Sequence, residues 1–235
     1  MNKLILLLLL FGFTGSCSKQ PKDVNDSSTD EAKTHCFGAE ESVESKAQLE
    51  NEIRGQVKFL GESENFNSIA SEMSAYKIPA LSLTVMHQGE IEWAEIYTNA
   101  DFPEGQDLDC SSIFQAASLS KPVTFLAALR MHAAGEIDLD ENIQNYLEDY
   151  VIPEGKQTPE NPVTFRNIFA HTSGITPGGY QGYAKDLPIP TDLDILRGDA
   201  GANTPAIEVV SPPNETLAYS GGAYTLAELA LQDIY

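Results

Sequence analysis

A serine and a lysine three positions apart, Ser118 and Lys121, are the residues in this sequence best suited to chemistry. They stand at the start of a long apolar segment, residues 123–134. Residues three apart lie on the same side of a helix, so the hydroxyl and the amine can meet there. A serine hydroxyl becomes a nucleophile when a neighbouring base takes its proton. The pair therefore predicts a serine nucleophile with a lysine base.

The apolar segment predicts a buried helix, because a helix that is apolar nearly all round leaves no face for solvent. Gly135 stands where a left-handed residue would end it. Burial and the positive end of the helix dipole would disfavour the ammonium form of Lys121. Free backbone N–H groups at the same end would stabilise negative charge beside Ser118. Because Ser-x-x-Lys also occurs by chance, the pair alone is a hypothesis.

A tyrosine far along the chain, Tyr219, is a third candidate. It precedes a Gly-Gly turn and a segment whose apolar residues have helical spacing, residues 223–235. A phenol beside an ammonium group ionises below its usual pKa. It could then act as the base for the serine, or pass a proton to a leaving group. The alternative is an ordinary half-buried tyrosine at the start of a helix.

Residues 1–17 predict an export signal, because the apolar run at 4–13 is too short to span a bilayer. Small residues precede Cys17, as in a bacterial lipoprotein box, although Thr14 stands where that box usually has leucine. Lipidation of Cys17, with anchoring to a membrane, and simple cleavage of the signal are the two alternatives. The predicted location is the periplasm or, for a lipoprotein, the outer membrane of a bacterium.

Residues 18–55 are polar and acidic and predict a flexible tether. The folded domain is predicted over residues 56–235. Its predicted elements are a helix at 66–76, strands at 80–86 and 91–97 joined by a turn, a short helix at 141–147, a helix from Thr164 to Ala170 and a long loop at 176–213.

The formal net charge of −21 is spread along the chain. It argues against nucleic-acid binding, which needs clusters of lysine and arginine. Cys36 and Cys110 could form a disulfide, as exported proteins often do, or stay as two thiols. None of the four histidines has metal-ligand spacing with a cysteine or a carboxylate, so no structural zinc site is expected. The predicted chemistry needs no metal and no cofactor.

Four motifs follow each other along the chain: FQAASLSK ending at Lys121, GEIDLDE from Gly135, HTSG from His171 and YSGG from Tyr219. In this order they resemble the serine beta-lactamase-related family, over roughly residues 66–235. That family includes class C beta-lactamases, D-alanyl-D-alanine carboxypeptidases, D-aminopeptidases and related esterases. The resemblance implies an α/β (α+β) fold of the beta-lactamase/transpeptidase type, with a helical lobe packed on an antiparallel sheet and the active site between them.

The resemblance also implies roles for the candidate residues. Ser118 corresponds to the acylated nucleophile, Lys121 to its partner base, and Tyr219 to the tyrosine of the family's Y-x-N motif. The motif at residues 171–174 is interpreted as a structural turn after a helix. Gly221 stands where the family has an asparagine whose amide would contact the substrate and help to hold the lysine, which puts efficient beta-lactam turnover in doubt.

The resemblance also implies that the C-terminal part of the family's domain is missing after Tyr219. The family carries a third motif, a lysine or histidine followed by a small residue and glycine, on a strand near its C-terminus, and no such strand follows Tyr219. We therefore expect these 235 residues to be the N-terminal portion of a longer catalytic domain, and to be inactive alone.

The predicted function is hydrolysis through an acyl-enzyme, with an ester, a beta-lactam or a D-amino-acid peptide as substrate. The substrate would be a small molecule or derive from peptidoglycan. The alternative is a non-catalytic cell-envelope lipoprotein that keeps the fold as a ligand-binding module. A surface adhesin is a third hypothesis, supported by the acidic tether alone.

Overall fold

A computed structural model describes residues 32–38, 44–54, 60–61, 65–184 and 186–235. The predicted export signal, Cys17 and the first part of the predicted tether lie outside these residues. The chain divides into two compact units, residues 1–117 and 118–235. Within the described ranges, no helix has both the length and the apolar character needed to cross a membrane.

A three-stranded antiparallel sheet, in the order β1-β5-β4, forms the centre of the first unit. A two-stranded ribbon of β2 and β3 and two helices accompany it. The elements are β1 (Ala32–Gly38), α1 (Glu44–Asn51), β2 (Ile53–Arg54), β3 (Phe66–Asn67), α2 (Ile69–Ala75), β4 (Ala80–His87) and β5 (Glu90–Thr98). The predicted hairpin of β4 and β5 is confirmed, and its turn places Gln88 and Gly89 at positive φ.

The core of the first unit lies between α2 and one face of the sheet. Apolar residues alternate with exposed ones along β4, so that Leu81, Leu83 and Val85 are buried. Trp93 of β5 and Met73 of α2 are also buried in this cluster. The helix predicted at 66–76 is shorter than expected, because Ser68 caps it by accepting a hydrogen bond from the N–H of Ser71.

Part of the predicted tether is folded, and that prediction is corrected over residues 32–38 and 44–51. β1 pairs with the free edge of β5, in a register that runs from Ala32 opposite Thr98 to Gly38 opposite Trp93. Cys36 of β1 and Cys110 form a disulfide, which decides between the two alternatives for these cysteines. Backbone pairing and this covalent link offset the ordering entropy that the acidic composition alone could not.

A buried charge cluster also binds the N-terminal elements to the sheet. The carboxylate of Glu95 in β5 is 1% exposed and accepts a hydrogen bond from Lys46 of α1, which is itself buried. Lys33 lies 3.1 Å, His35 3.3 Å and the Tyr97 hydroxyl 2.9 Å from its oxygens. Burial disfavours the charge, but these hydrogen bonds outweigh it and lower the pKa of Glu95 to about 2.

Helices dominate the second unit. Its elements are a 3-10 turn (Ala117–Ser120), α3 (Lys121–Ala134), a second 3-10 turn (Ile143–Tyr146), α4 (Phe165–Phe169), α5 (Asp192–Arg197) and α6 (Gly221–Asp233). The helix after Thr164 is confirmed, with the threonine as its N-cap. The long loop predicted at 176–213 contains α5, which Thr191 caps, so that prediction is corrected. The short apolar repeat Leu193, Leu196 is too brief to indicate a helix by periodicity.

The core of the second unit lies around α6. Leu226, Ala227 and Ala230 of this helix are fully buried, together with Phe165 and Ile168 of α4. The sequence predicted α6 from this spacing, and the structure confirms it. α6 begins at the Gly-Gly pair, so its core packing fixes the position of the residues just before it.

The prediction that α3 is buried is wrong for the described residues. The helix ends as expected, with Gly135 in the left-handed conformation at φ 77°, and Ala128 and Met131 are buried. However, Val123 is 66% and Leu126 60% exposed. An apolar composition indicates that a helix can be buried, but it does not say which surface covers each side.

Candidate active site

Ser118 lies in the tight turn that leads into α3. The preceding residue, Ala117, has a φ of 46°, in the left-handed region that residues with a Cβ seldom adopt. Such strain is found where the surrounding structure needs a particular backbone direction, often at functional sites. The turn leaves the Ser118 side chain exposed at the start of the helix.

The structure brings together all three residues that the sequence singled out. Lys121 Nζ donates a hydrogen bond of 3.2 Å to Ser118 Oγ, across one turn of helix. The Tyr219 hydroxyl donates to the same oxygen at 2.7 Å, although the two residues are 101 positions apart. Ser118 Oγ therefore lies between an ammonium group and a phenol, either of which can exchange a proton with it.

The phenol of Tyr219 lies in a positive environment. Lys121 and, after it, the Ser118 hydroxyl hold the pKa of Tyr219 below its usual value of 10.0. The Tyr219 side chain remains 49% exposed, so a substrate can reach it. An accessible phenol with a lowered pKa that contacts a serine hydroxyl can serve as its base.

The surroundings of Lys121 differ from the sequence-based expectation. The side chain was expected to be buried among apolar groups, but it is half-buried and lies over two aromatic rings. Its Nζ is 4.9 Å from the ring centroid of Tyr219 and 5.2 Å from that of Tyr224. Cation–π contacts of this kind stabilise a positive charge. These contacts hold the Lys121 amine beside the Tyr219 phenol.

His171 is a contact that sequence reasoning missed. Its motif was interpreted as a structural turn, and Gly174 does fit that role, since a Cβ there would lie 2.1 Å from the Ser211 carbonyl oxygen. The imidazole of His171, however, lies against the Tyr219 ring, with centroids 4.3 Å apart. The sequence offered one indication of this contact, which is that the motif at His171 and the motif at Tyr219 both occur in the chain.

The structure gives a physical reason for glycine at position 221. A Cβ there would lie 3.2 Å from Cε2 of Tyr180, a closer approach than side chains normally make. The Tyr180 hydroxyl is 3.0 Å from Thr225 Oγ1, which holds the ring in place. A side chain at 221 would therefore require the Tyr180 ring to shift by a few tenths of an ångström.

The family model described as Beta-lactamase matches residues 66–234. The chain belongs to the beta-lactamase family. This confirms the resemblance drawn from the four motifs and the predicted fold class of mixed helices and antiparallel sheet.

Two curated proteins are among those to which the chain is similar. Over 156 residues, the chain is 30% identical to "Esterase EstB" of Burkholderia gladioli, covering 64% of this chain and 38% of the esterase. It is 30% identical over 110 residues to the mitochondrial "Serine beta-lactamase-like protein LACTB" of Homo sapiens, covering 46% of this chain and 19% of that protein. The chain thus spans well under half of the length of either relative.

A solved structure is also similar. It is a beta-lactamase/D-alanine carboxypeptidase from Yersinia pestis complexed with citrate, 24% identical, with a TM-score of 0.39. The match covers 50% of this chain and 32% of that chain.

Proposed function

We propose that the protein is a serine hydrolase that works through an acyl-enzyme on Ser118. One observation carries the proposal: the Ser118 hydroxyl oxygen is within hydrogen-bond distance of both Lys121 Nζ and the Tyr219 hydroxyl. A weak nucleophile needs a neighbouring base, and the Tyr219 phenol is the closer of the two groups. The family membership is consistent with this chemistry.

In acylation, the Tyr219 phenolate takes the proton of Ser118 as Oγ attacks the carbonyl carbon of the substrate. The positive charge of Lys121 stabilises the phenolate until the phenolate accepts the proton of Ser118. As the tetrahedral intermediate collapses, Tyr219 returns the proton to the leaving oxygen or nitrogen. The bond to the leaving group breaks, and the acyl group remains as an ester on Ser118.

In deacylation, a water molecule takes the place of the leaving group. Tyr219 removes a proton from this water as its oxygen attacks the acyl carbon. The proton then returns to Ser118 Oγ when the second tetrahedral intermediate collapses and the acid is released. Both half-reactions use the same three side chains, and no step requires a metal or a redox cofactor.

Esters are the proposed substrate class, in preference to beta-lactams and D-amino-acid peptides. At Gly221 no side-chain amide is present to hold a substrate amide, and Tyr180 fills the adjoining space. An unmade hydrogen bond to a buried polar group costs about 1–3 kcal/mol, or roughly one to two orders of magnitude in rate. The similarity to a protein named as an esterase supports the same choice.

The test compares two substrates on one preparation of the whole protein. We expect a short-chain nitrophenyl ester to be turned over faster than a chromogenic cephalosporin, by at least about tenfold in kcat/KM. Mass spectrometry of the protein quenched during ester turnover should show an acyl group on the peptide that contains Ser118. Faster hydrolysis of the cephalosporin would refute the ester preference, and an acyl group elsewhere would refute the mechanism.

We also propose that the protein works in the cell envelope of a bacterium, with a substrate that is a small molecule or derives from peptidoglycan. The apolar run at 4–13 and the small residues before Cys17 support export and a lipid anchor at that cysteine. The disulfide between Cys36 and Cys110 is of a kind that persists in oxidising compartments, which supports export independently.

A further inference from the structure

Two aromatic side chains outside the predicted triad enclose Lys121 and Tyr219. The Tyr224 ring lies 5.2 Å from Lys121 Nζ, on α6 one turn after Tyr219. The His171 ring lies 4.3 Å from the Tyr219 ring and 5.4 Å from the Tyr224 ring. The described partners of the Ser118 hydroxyl are Lys121 and Tyr219, so Tyr224 and His171 can act on the serine only through these two.

The Tyr224 ring is held from behind by a row of aromatic residues. Its edge meets the Phe169 ring at a centroid distance of 5.5 Å. Phe169 in turn stacks on Phe165 at 5.9 Å, and Phe165 is fully buried in the core. Aromatic pairs at these distances have preferred orientations. The core of the second unit therefore fixes the face that Tyr224 presents to Lys121.

His171 holds the backbone on both sides of Tyr219. The backbone N–H of Ala218 donates to the His171 carbonyl oxygen at 2.8 Å. The backbone N–H of Ser220 donates to Nδ1 of the imidazole at 3.2 Å. His171 itself has a φ of 57°, a left-handed conformation that turns its side chain back toward the tyrosine. One residue thus bonds to both chain neighbours of the candidate base.

The imidazole can accept this N–H only while Nδ1 carries no proton. Burial and, after it, the charge of Lys121 lower the pKa of His171. The titratable groups that face the ring are Lys121 of α3, Tyr219 before α6 and Tyr224 within α6. The neutral form that the hydrogen bond requires is therefore the form that these neighbours favour at neutral pH.

We propose that Tyr224 and His171 are positioning residues, with the Tyr224 ring holding the Lys121 ammonium beside the phenol and His171 fixing the backbone at Tyr219. This inference rests on the proposed function, because the reaction gives the arrangement its purpose. Lys121 then provides a fixed positive charge that stabilises the phenolate form of Tyr219. In this arrangement Tyr219 is the base and Lys121 is the cation that stabilises it.

The first test compares Tyr224→Leu with Tyr224→Phe in the whole protein. Phenylalanine keeps the ring face and leucine removes it, at similar bulk. A cation–π contact of this kind corresponds to about two- to thirty-fold in an equilibrium or rate. We expect Tyr224→Leu to lower kcat by about that factor with little change in KM, and Tyr224→Phe to stay within about twofold of the parent.

A substrate-free readout separates this inference from the proposed function. Ionisation of Tyr219 is followed by ultraviolet absorbance, and its contribution is identified as the part lost in Tyr219→Phe. We expect its titration midpoint to rise by roughly half a pH unit or more in Tyr224→Leu and to stay unchanged in Tyr224→Phe. An unchanged midpoint in Tyr224→Leu overturns the inference. If the midpoint rises in Tyr224→Leu but the parent protein hydrolyses no ester, the proposed function is refuted and this inference is not.

His171→Gly provides the second variant, since glycine adopts the φ of 57° without strain. It removes the ring and the Nδ1 acceptor but leaves the carbonyl bond to Ala218. Loss of one hydrogen bond beside the base predicts a fall in kcat of roughly five- to hundred-fold, with a matching loss of fluorophosphonate labelling rate. A folded His171→Gly variant with the parent's kcat and labelling rate would show that the histidine does not position Tyr219.

Discussion

Replacing Tyr219 with phenylalanine is expected to lower kcat for ester hydrolysis by about two to four orders of magnitude in the whole protein. The phenol is the group nearest to Ser118 Oγ, at 2.7 Å, and Lys121 holds its pKa below the usual value. Phenylalanine keeps the ring that packs on His171 and removes only the hydroxyl. Because the lost interaction is made with the moving proton, kcat and kcat/KM should fall together.

The pH profile gives this prediction a second readout. A base acts in its deprotonated form, so kcat/KM of the parent should rise as the phenol ionises, with a limb that lies below pH 10.0 because the pKa of Tyr219 is lowered. Tyr219→Phe should lose this limb. Tyr76→Phe is the matched control, because Tyr76 is 68% exposed and lies outside the candidate site. A fall in kcat of less than tenfold in Tyr219→Phe would contradict this prediction and indicate that Lys121 is the base.

Replacing Glu95 with glutamine is expected to destabilise the first unit by about 3–5 kcal/mol, the usual cost of removing one partner from a buried ion pair. Lys46 is buried and donates to the Glu95 carboxylate, so the substitution leaves its charge without a counter-charge at that oxygen. Lys33 loses the same partner. Urea unfolding and hydrogen exchange in β1 and β5 measure the effect.

Acid should remove the same stabilisation in the parent protein. Because the pKa of Glu95 is lowered from an ordinary value of 4.5 to about 2, its stabilising contribution is fully present above about pH 4.5 and is lost as the pH falls through about 2. Glu95→Gln should show a smaller loss over this range. Glu90→Gln, at an exposed position in the same strand, should stay within about 0.5 kcal/mol of the parent. An equal pH slope in both variants would show that the cluster does not govern acid stability.

Local patterns made much of the fold predictable. The hairpin of β4 and β5 follows from alternating residues around a His-Gln-Gly-Glu turn, and both its strands lie within one residue of the predicted ends. The end of α3 follows from Gly135, which has the left-handed conformation that a C-terminal cap requires. α6 follows from the spacing of Leu226 and Ala230. In each case the residues that determine the element are close together in the sequence.

What was missed depends on contacts between distant residues. β1 has no alternating pattern, and it forms because β5, almost sixty residues later, offers an open edge and Glu95 offers a partner for Lys33. Within the candidate site, the spacing of Ser118 and Lys121 predicted their contact. The approach of Tyr219 was suggested by the family motif and not by spacing. The position of His171 depends on its positive φ, which a histidine in the sequence does not predict.

Covalent labelling shows directly whether Ser118 is the nucleophile. The whole protein is treated with a fluorophosphonate, which reacts with activated serine hydroxyls, and the modified peptide is identified by mass spectrometry. Ser120→Ala is the matched control, because Ser120 lies two residues away and its side chain makes no capping hydrogen bond to α3. We expect a phosphonyl adduct on Ser118 in the parent and in Ser120→Ala, and none in Ser118→Ala. Labelling that persists in Ser118→Ala would contradict this expectation.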